Sequence, residues 1–488
     1  TGEFEMLRMK NIIYVVLAAL LTLSVSGCSK WLGVKPYDKI GQDDLLSSEE
    51  GFMKLLNGIY IELNSDMLYG GALSVEMLEI MGGAYSIGTD ESVWGNYVDL
   101  SKFEYKTEYW RARLSETWNK AYSLILNCNL ILDNIDEKKG LFSGDNFNIV
   151  KGEARALRAM LHFDMLRLFG PVYSRSPEAE SIPYYMHYTT VPENLLPASE
   201  VADRITSDLL EAKILLTADP VRTEGTRMDG PSDGSSTFLY YRNLRMNYYA
   251  VTALLARAAL YFGDRELAKE SAGEVLRAVG TIFSFVDRGD VIGTDNIDRI
   301  FSSEVIFALT NTQRNKLFKN YFDPGRRPNY VFTMDRELLE KRIFGGGLAT
   351  GGSQEDLRYK ASWESSGSNM YFHKYSDMND VGNIRNTMIP LIGIGEMYLI
   401  CAECGASLSD GLADVNKLRS NRNVNALSGL TSDLLKNEYV RELYGMGQLF
   451  FMYKRMFSPI LFFSSESKNP APSDEIFVVP LPDSETQN

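Results

Sequence analysis

KGEARALRAMLHFDMLRLFGPVY, residues 151–173, carries two apolar stripes side by side. Ala154, Leu157, Leu161, Met165 and Leu168 recur at spacings of three and four, one face of a helix. Ala156, Met160, Phe163 and Leu166 form a second stripe beside it. A helix wetted along one side needs only one stripe, so this one is predicted to pack on two sides. Ala154, Ala156 and Ala159 let neighbouring helices approach closely. Gly170-Pro171 then ends it, because glycine caps a helix C-terminus and proline cannot continue the helix. The stretch reads as an inner helix of a helical array.

Helical periodicity extends to both sides. Ser47-Ser48-Glu49-Glu50 is a capped start, followed by Phe52, Leu55, Leu56, Ile59, Tyr60 and Leu63. Leu114–Ile135 places Trp118, Tyr122, Ile125, Asn129 and Leu132 on one face, and Ser199 opens another helix. Asn243–Phe262 and Arg265–Val279 are joined by Gly263-Asp264, and Gly395–Ser407 with Gly411–Arg422 repeats that shape. A helix, a tight turn and a shorter alanine-rich helix is tetratricopeptide-like, although no strict repeat length is visible. Leu434–Met456 reads as a last helical block. Between these helices, 67–109, 171–198, 219–236 and 281–390 read as loops, with strand-like runs such as Val305–Leu309. The predicted fold is mainly α: a tetratricopeptide-like helical-repeat scaffold whose long irregular loops form a ligand-binding face, in a single domain from 28 to 488.

The N-terminus supplies an address. Lys10 precedes the apolar run Ile12–Val25, which is too short for a comfortable membrane span and has the form of a secretory signal peptide. Val25-Ser26-Gly27-Cys28 looks like a bacterial lipobox, in which the Cys28 sulfur is diacylated and becomes the new N-terminus. Residues 1–27 are thus read as a leader, with Thr1–Arg8 an expression remnant or upstream extension ahead of Met9. Ser29 rather than aspartate suggests sorting to the outer membrane, and the lipid is the only membrane attachment expected. An acidic patch after the cysteine is replaced by Ser29-Lys30-Trp31, so these residues alone leave open which side of that membrane the protein faces. A formal charge of −14 over 488 residues, with no basic stripe, argues against nucleic-acid binding.

E-A-R-A-L-R-A-x-x-H-F-x-x-L-R-x-F-G-x-V within the opening stretch resembles the signature helix of the SusD/RagB family of outer-membrane nutrient-binding lipoproteins. Similar segments follow in family order around it. They include the lipobox, W-x-x-x-Y-x-x-I-x-x-C-N at Trp118–Asn129, the helix pair at Asn247–Asp264 and Ile394–Glu403. Arg441-Glu442-Leu443 with Gly447-Gln448 and Lys454-Arg455, and the tail Val478–Glu485, complete the set. Met446, Leu449 and Gly393 depart from the family pattern where it has charged residues. The resemblance implies a non-catalytic, lipid-anchored protein on the cell exterior that captures oligosaccharide, or in some members peptide. It would act as a lid over a SusC-like TonB-dependent outer-membrane transporter, with the helical scaffold on the transporter side and the loops on the ligand. No cofactor is implied.

Candidate chemistry is sparse. Cys401-Ala402-Glu403-Cys404 sits inside a helix without a second pair, and reads as buried small side chains rather than a redox or zinc motif. His162, His187 and His373 form no metal spacing, and His162 is expected to be hydrogen-bonded within the scaffold. Glycines 345–352 lack a phosphate-loop lysine, Arg288-Gly289-Asp290 is read as a chance tripeptide, and Asp229–Asp233 matches no calcium loop. Sixty-four acidic residues always offer carboxylate pairs, so a surface glycoside hydrolase stays the competing class, as does a helical adaptor without a small ligand. Aromatic residues are the remaining lead, since sugar C–H faces stack on flat rings. Trp94, Asn96 and Tyr97, in an expected loop, form the first candidate ligand-binding set, and Trp363 with Tyr371 the second. No residue is assigned a catalytic or metal-binding role.

Overall fold

The structure, a computed structural model, describes residues 41, 43–87, 91–232, 234, 236–326, 331–347, 350–380, 382–461 and 470–486. The signal segment, Cys28 and Ser29-Lys30-Trp31 lie outside the described residues, as do Asp90 and Asp233. Thr1–Gly51 is one compact unit and Phe52–Asn488 another. In the first, Ser48 Oγ accepts the Gly51 N–H (3.2 Å), the expected cap of the helix that begins at Glu49.

The second unit is dominated by helices. In chain order they include α1 (Glu49–Glu62, of which Phe52–Glu62 belong to this unit), α2 (Met77–Met81), α3 (Glu91–Ser101), α4 (Glu108–Ile135), α5 (Asn146–Phe169), α6 (Ala198–Leu215), α7 (Val221–Glu224), α8 (Tyr248–Phe262), α9 (Arg265–Leu276) and α10 (Asn315–Tyr321). After them come α11 (Ile394–Glu403), α12 (Leu408–Asn421), α13 (Ser432–Leu443) and α14 (Leu449–Met456). Helices α4, α5, α6, α8, α9, α11 and α12 each pack on the next in that order. Packing by sequential neighbours is the physics of a helical-repeat array. Two small antiparallel sheets accompany it. Strand β1 (Val305–Thr310) pairs with β5 (Met388–Gly393), and β4 (Asn369–Phe372) lies between β2 (Met334–Asp335) and β3 (Trp363–Ser366).

Local capping sets the helix pairs. Asn247 Oδ1 accepts the N–H groups of Tyr249 (2.8 Å) and Ala250 (3.0 Å), so α8 starts at Tyr248 rather than Asn243. Gly263, at φ +89°, turns the chain, and Asp264 caps α9 through the Leu267 N–H (3.0 Å). Ser407 and Asp410 form a capping box on α12. The block expected to run continuously over Leu434–Met456 is broken into α13 and α14. Gly445 and Gly447 adopt φ +72° and +68°, a Cβ on Gly447 would meet Leu73 O at 2.0 Å, and both N–H groups bind the buried Glu79 carboxylate (3.1 and 2.8 Å).

Helix α5 is buried on nearly every side, as its two stripes predict, yet it also carries buried polar side chains. Arg158 donates to Asp208 (2.7 and 2.8 Å) and Asn129 (2.8 Å). His162 places Nδ1 3.0 Å from Arg158 O and Nε2 3.2 Å from Tyr185 N. A carbonyl only accepts and an N–H only donates, so the ring is neutral with its proton on Nδ1. Burial, reinforced by the Arg158 charge, pushes His162 down to about 3. The ordinary unfolded value is about 6.5, so the stability supplied by the neutral ring is present above that pH and is lost as pH falls toward 3. We predict that urea midpoints measured from about pH 7 to about pH 4 fall more steeply for the wild type than for His162→Gln, by about 1.4 kcal/mol per pH unit at most. Parallel slopes would show that His162 is not the group responsible.

Candidate functional site

The first aromatic set lies on a helix, not in the expected loop. Val93, Asn96, Val98 and a mid-helix Gly95 are weak helix formers, so α3 is held by what it packs against rather than by propensity. Trp94 and Tyr97, three apart, share a face, with ring centroids 6.1 Å apart. Asn96 points off that face and is exposed, while its carbonyl accepts the indole N–H of Trp110.

Phe332 gathers these rings. It lies 5.7 Å from Trp94, edge-on to Tyr97 at 5.2 Å, and parallel to both Tyr85 (4.8 Å) and Tyr321 (5.7 Å). Trp94 and Phe332 are only 6% and 2% exposed, so they support the cluster rather than display it. Tyr97 and Tyr321 are half-buried, and Tyr109 is exposed on the first turn of α4 with its ring edge-on to Trp110 (5.1 Å). These three tyrosines are the part of the cluster that solvent reaches.

Below the rings lies a fixed charge pair. Glu76, 2% exposed, accepts the Tyr97 hydroxyl (3.0 Å) and the Arg113 Nη2. Arg113 stands one turn after Tyr109 on α4 and also reaches Met67 Sδ (3.4 Å). Burial first, then the Glu76 charge, pushes the Tyr97 and Tyr109 phenols up, and the same two causes raise Tyr321. All three therefore keep their protons at neutral pH and act as hydroxyl donors or acceptors. Flat rings flanked by hydroxyls and a guanidinium can stack on a sugar ring and hydrogen-bond its edges.

The second set is placed differently. Trp363 and Tyr371 lie on the β3–β4 hairpin, 7% and 4% exposed. Trp363 is opposite Phe372 and packs on it and on Tyr444, both at 5.1 Å. Strand alternation puts Tyr371 on the other face of the hairpin, so the two are not brought together. Beside Trp363 is a narrow cavity of about 60 Å³ lined by Glu304, Arg358, Lys374 and Glu442 among others. That volume holds a few waters and no sugar ring. Trp363 nonetheless joins the first set through buried rings: Tyr444 lies 6.2 Å from Tyr85, which stacks on Phe332.

Glu76, Tyr109, Arg113 and Tyr321 were not singled out from sequence. Tyr109 and Arg113 carry the i, i+4 spacing of a helix face, but only the fold shows that α10 brings Tyr321 to them. Of the remaining candidates, His162 and the cysteine pair sit in the scaffold, while His187 is exposed beside Asp133. Cys401 and Cys404 are buried free thiols, which burial pushes up to about 12 and about 11, as expected of packing residues.

Residues 30–229 match the sequence model of a SusD-like family described as starch-binding and associating with the outer membrane. A SusD-like protein of Formosa agariphila is 26% identical over 183 residues, 36% of this chain and 33% of its own, so the chain matches about a third of that relative's length. Among solved structures, a SusD-like carbohydrate binding protein from Bacteroides vulgatus superposes with a TM-score of 0.67 at 20% identity, covering 90% of this chain and 96% of that one. A laminarin binding SusD-like protein superposes at 0.59 with 17% identity, covering 84% and 91%. Residues 30–229 thus match the SusD-like family's sequence, and the chain shares the fold of SusD-like structures across most of its length.

Proposed function

We propose that this protein is a non-catalytic surface lipoprotein that captures glycan oligosaccharides and passes them to a SusC-like TonB-dependent outer-membrane transporter. The observation that carries this reading is the half-exposed face of Tyr97, Tyr109 and Tyr321 over the Glu76–Arg113 pair. Its chemistry suits a neutral sugar: rings for the C–H face, hydroxyls and a guanidinium for the hydroxyl edge. Glu76, the carboxylate beneath these rings, is held by Arg113 and Tyr97, a positioning role rather than that of a free acid or base. The family description and the laminarin-binding relative favour glycan over peptide. Cys28 would carry the lipid that anchors the protein at the outer membrane facing the exterior, with the helical array toward the transporter. No helix of the described residues is long and apolar enough to cross a membrane.

Three outcomes test the reading. Cys28→Ser is expected to move the protein from the membrane to the soluble fraction; unchanged membrane attachment would remove the lipid anchor from the proposal. Calorimetric titration of the full chain with laminarin, an α-glucan and a xylan is expected to give saturable binding to at least one, with no new reducing ends. Tyr321→Ala and Tyr109→Ala should each weaken it about tenfold; binding that neither variant changes would move the site, and reducing-end release would restore the hydrolase reading. Trp94→Ala is expected to cost about 3–5 kcal/mol of stability, because it empties a buried site. Tyr109→Ala should cost under about 1 kcal/mol, and a reversed order in urea denaturation would show that Trp94, not Tyr109, faces solvent.

A further inference from the structure

A second cleft shares no residue with the aromatic face and differs from it in charge. It has a volume of about 590 Å³, with Arg222, Gly225, Tyr248, Tyr249, Glu274 and Arg277 in its wall. Helix α7 ends at Gly225, whose φ of +72° turns the chain away and leaves open space beside it. The Asn247 cap fixes Tyr248 and Tyr249 at the start of α8, where their rings meet edge to face at 5.4 Å. Phe283 backs Tyr249 at 5.6 Å, and Tyr249 is half-exposed to the cleft.

The wall carries two arginines and two glutamates, and both glutamates are met by cations just outside it. The Glu274 carboxylate is already met by Lys213 Nζ (2.6 Å) and by the Tyr248 hydroxyl. Glu224 is met by Arg227 (3.3 Å). Arg222 is pinned by Thr217 O (2.8 Å) and lies over the Tyr248 ring (4.6 Å), with no carboxylate partner among the described residues. The Arg277 side chain, one turn after Glu274 and just past the end of α9, is exposed and makes no hydrogen bond among the described residues, although its charge helps to lower Glu274. Neither guanidinium is hydrogen-bonded to a carboxylate, in one cleft of a chain whose formal charge is −14. Such guanidiniums favour an anion over a neutral ligand.

The geometry points to this cleft as a second ligand site, for an acidic saccharide whose carboxylate or sulfate meets Arg222 and Arg277 while Tyr249 receives the sugar face. Guanidinium groups bind both anions through paired N–H donors, and the cleft lies in the ~300–1,000 Å³ range of small-ligand sites. For the saccharide class the inference rests on the glycan-binding reading, but it places this ligand away from Tyr321.

The test titrates the full chain with digalacturonate, its methyl ester and a sulfated galactose disaccharide. At least one acidic sugar is expected to bind, and which one does so distinguishes carboxylate from sulfate. Methyl esterification should weaken digalacturonate, and Arg277→Gln should weaken the bound acid, each by about tenfold or more. The Arg277 side chain is exposed and makes no hydrogen bond among the described residues, so Arg277→Gln leaves the fold intact; Arg222→Gln is the second variant. Tyr321→Ala should leave acid binding unchanged even where it abolishes neutral-glycan binding, which keeps the two readings apart. The inference is overturned if neither acid binds, if the ester and acid bind alike, if Arg277→Gln has no effect, or if Tyr321→Ala removes acid binding.

Discussion

A guanidinium with no exposure to water must be met by carboxylates wherever the fold places it. Arg242 is such a group, and it lies between Asp219 (2.7 and 3.0 Å) and Glu153 of α5 (2.8 Å). Glu153 also takes Arg245 and the Tyr60 hydroxyl (2.7 Å), so one carboxylate joins α1, α5 and the segment entering α8. Although burial alone pushes Glu153 up, Arg245 and Arg242 outweigh it and hold it below the usual carboxylate range. Further along α5, Arg158 meets Asp208 of α6, Asp164 meets Tyr69, and Arg167 meets Gln448. Buried pairs add little net stability over apolar packing, but stranding one partner costs about 3–5 kcal/mol. A helix that slid by one turn would strand several at once. The ion pairs therefore fix the register of the array, while the alanines and leucines supply the burial.

The same logic organises the loop side, with rings instead of charges. From Trp363 the contacts run through Tyr444, Tyr85 and Phe332 to Tyr97 and Tyr321, from fully buried to half-exposed. The inner end is tied down by Gly445 and Gly447, which give their N–H groups to Glu79 beside Tyr444. Burial pushes Glu79 up to about 7, with those two N–H groups working against it. Rings held this way would lose little freedom on binding a ligand, so the proposed face is preorganised by its packing. Trp363 thus acts on the face by supporting it from within.

The helices were legible because α4, α5, α8 and α11 bury stripes that repeat at helical spacing, whereas their exact starts were not: Asn247 and Ser407 cap α8 and α12, where the periodicity alone pointed to Asn243 and Gly411. Helix α3 was not legible: Gly95, Asn96 and two valines argue for a loop, and only the burial of Trp94 and Leu100 against distant segments overrides them. The break between α13 and α14 was hidden for a related reason. Nothing within Arg441–Leu449 shows that Leu73 O will stand where a Gly447 Cβ would go. The candidate face divides along the same line. Trp94, Asn96 and Tyr97 lie within one helical turn and could be found together, whereas Tyr321 reaches them from more than two hundred residues away. Trp363 was chosen for its chemistry alone, and chemistry does not say whether a ring faces water or a neighbour.

Charge was the least legible property of all. A formal count of −14 describes the chain as an acidic surface, and on average it is one. Yet carboxylates are consumed unevenly, because Arg158 of α5, Arg422 just past α12 and Arg441 of α13, all buried, claim Asp208, Glu304, Glu438 and Glu442 for the interior. What a ligand meets is the remainder, and that remainder differs from place to place. Around Tyr97 the nearby Glu76 and Arg113 cancel, leaving a face suited to neutral rings. Around Tyr249 the carboxylates are met by Lys213 and Arg227, and neither Arg222 nor Arg277 has a carboxylate hydrogen-bonded to it. The local surplus, not the total, sets which ligand each surface can hold.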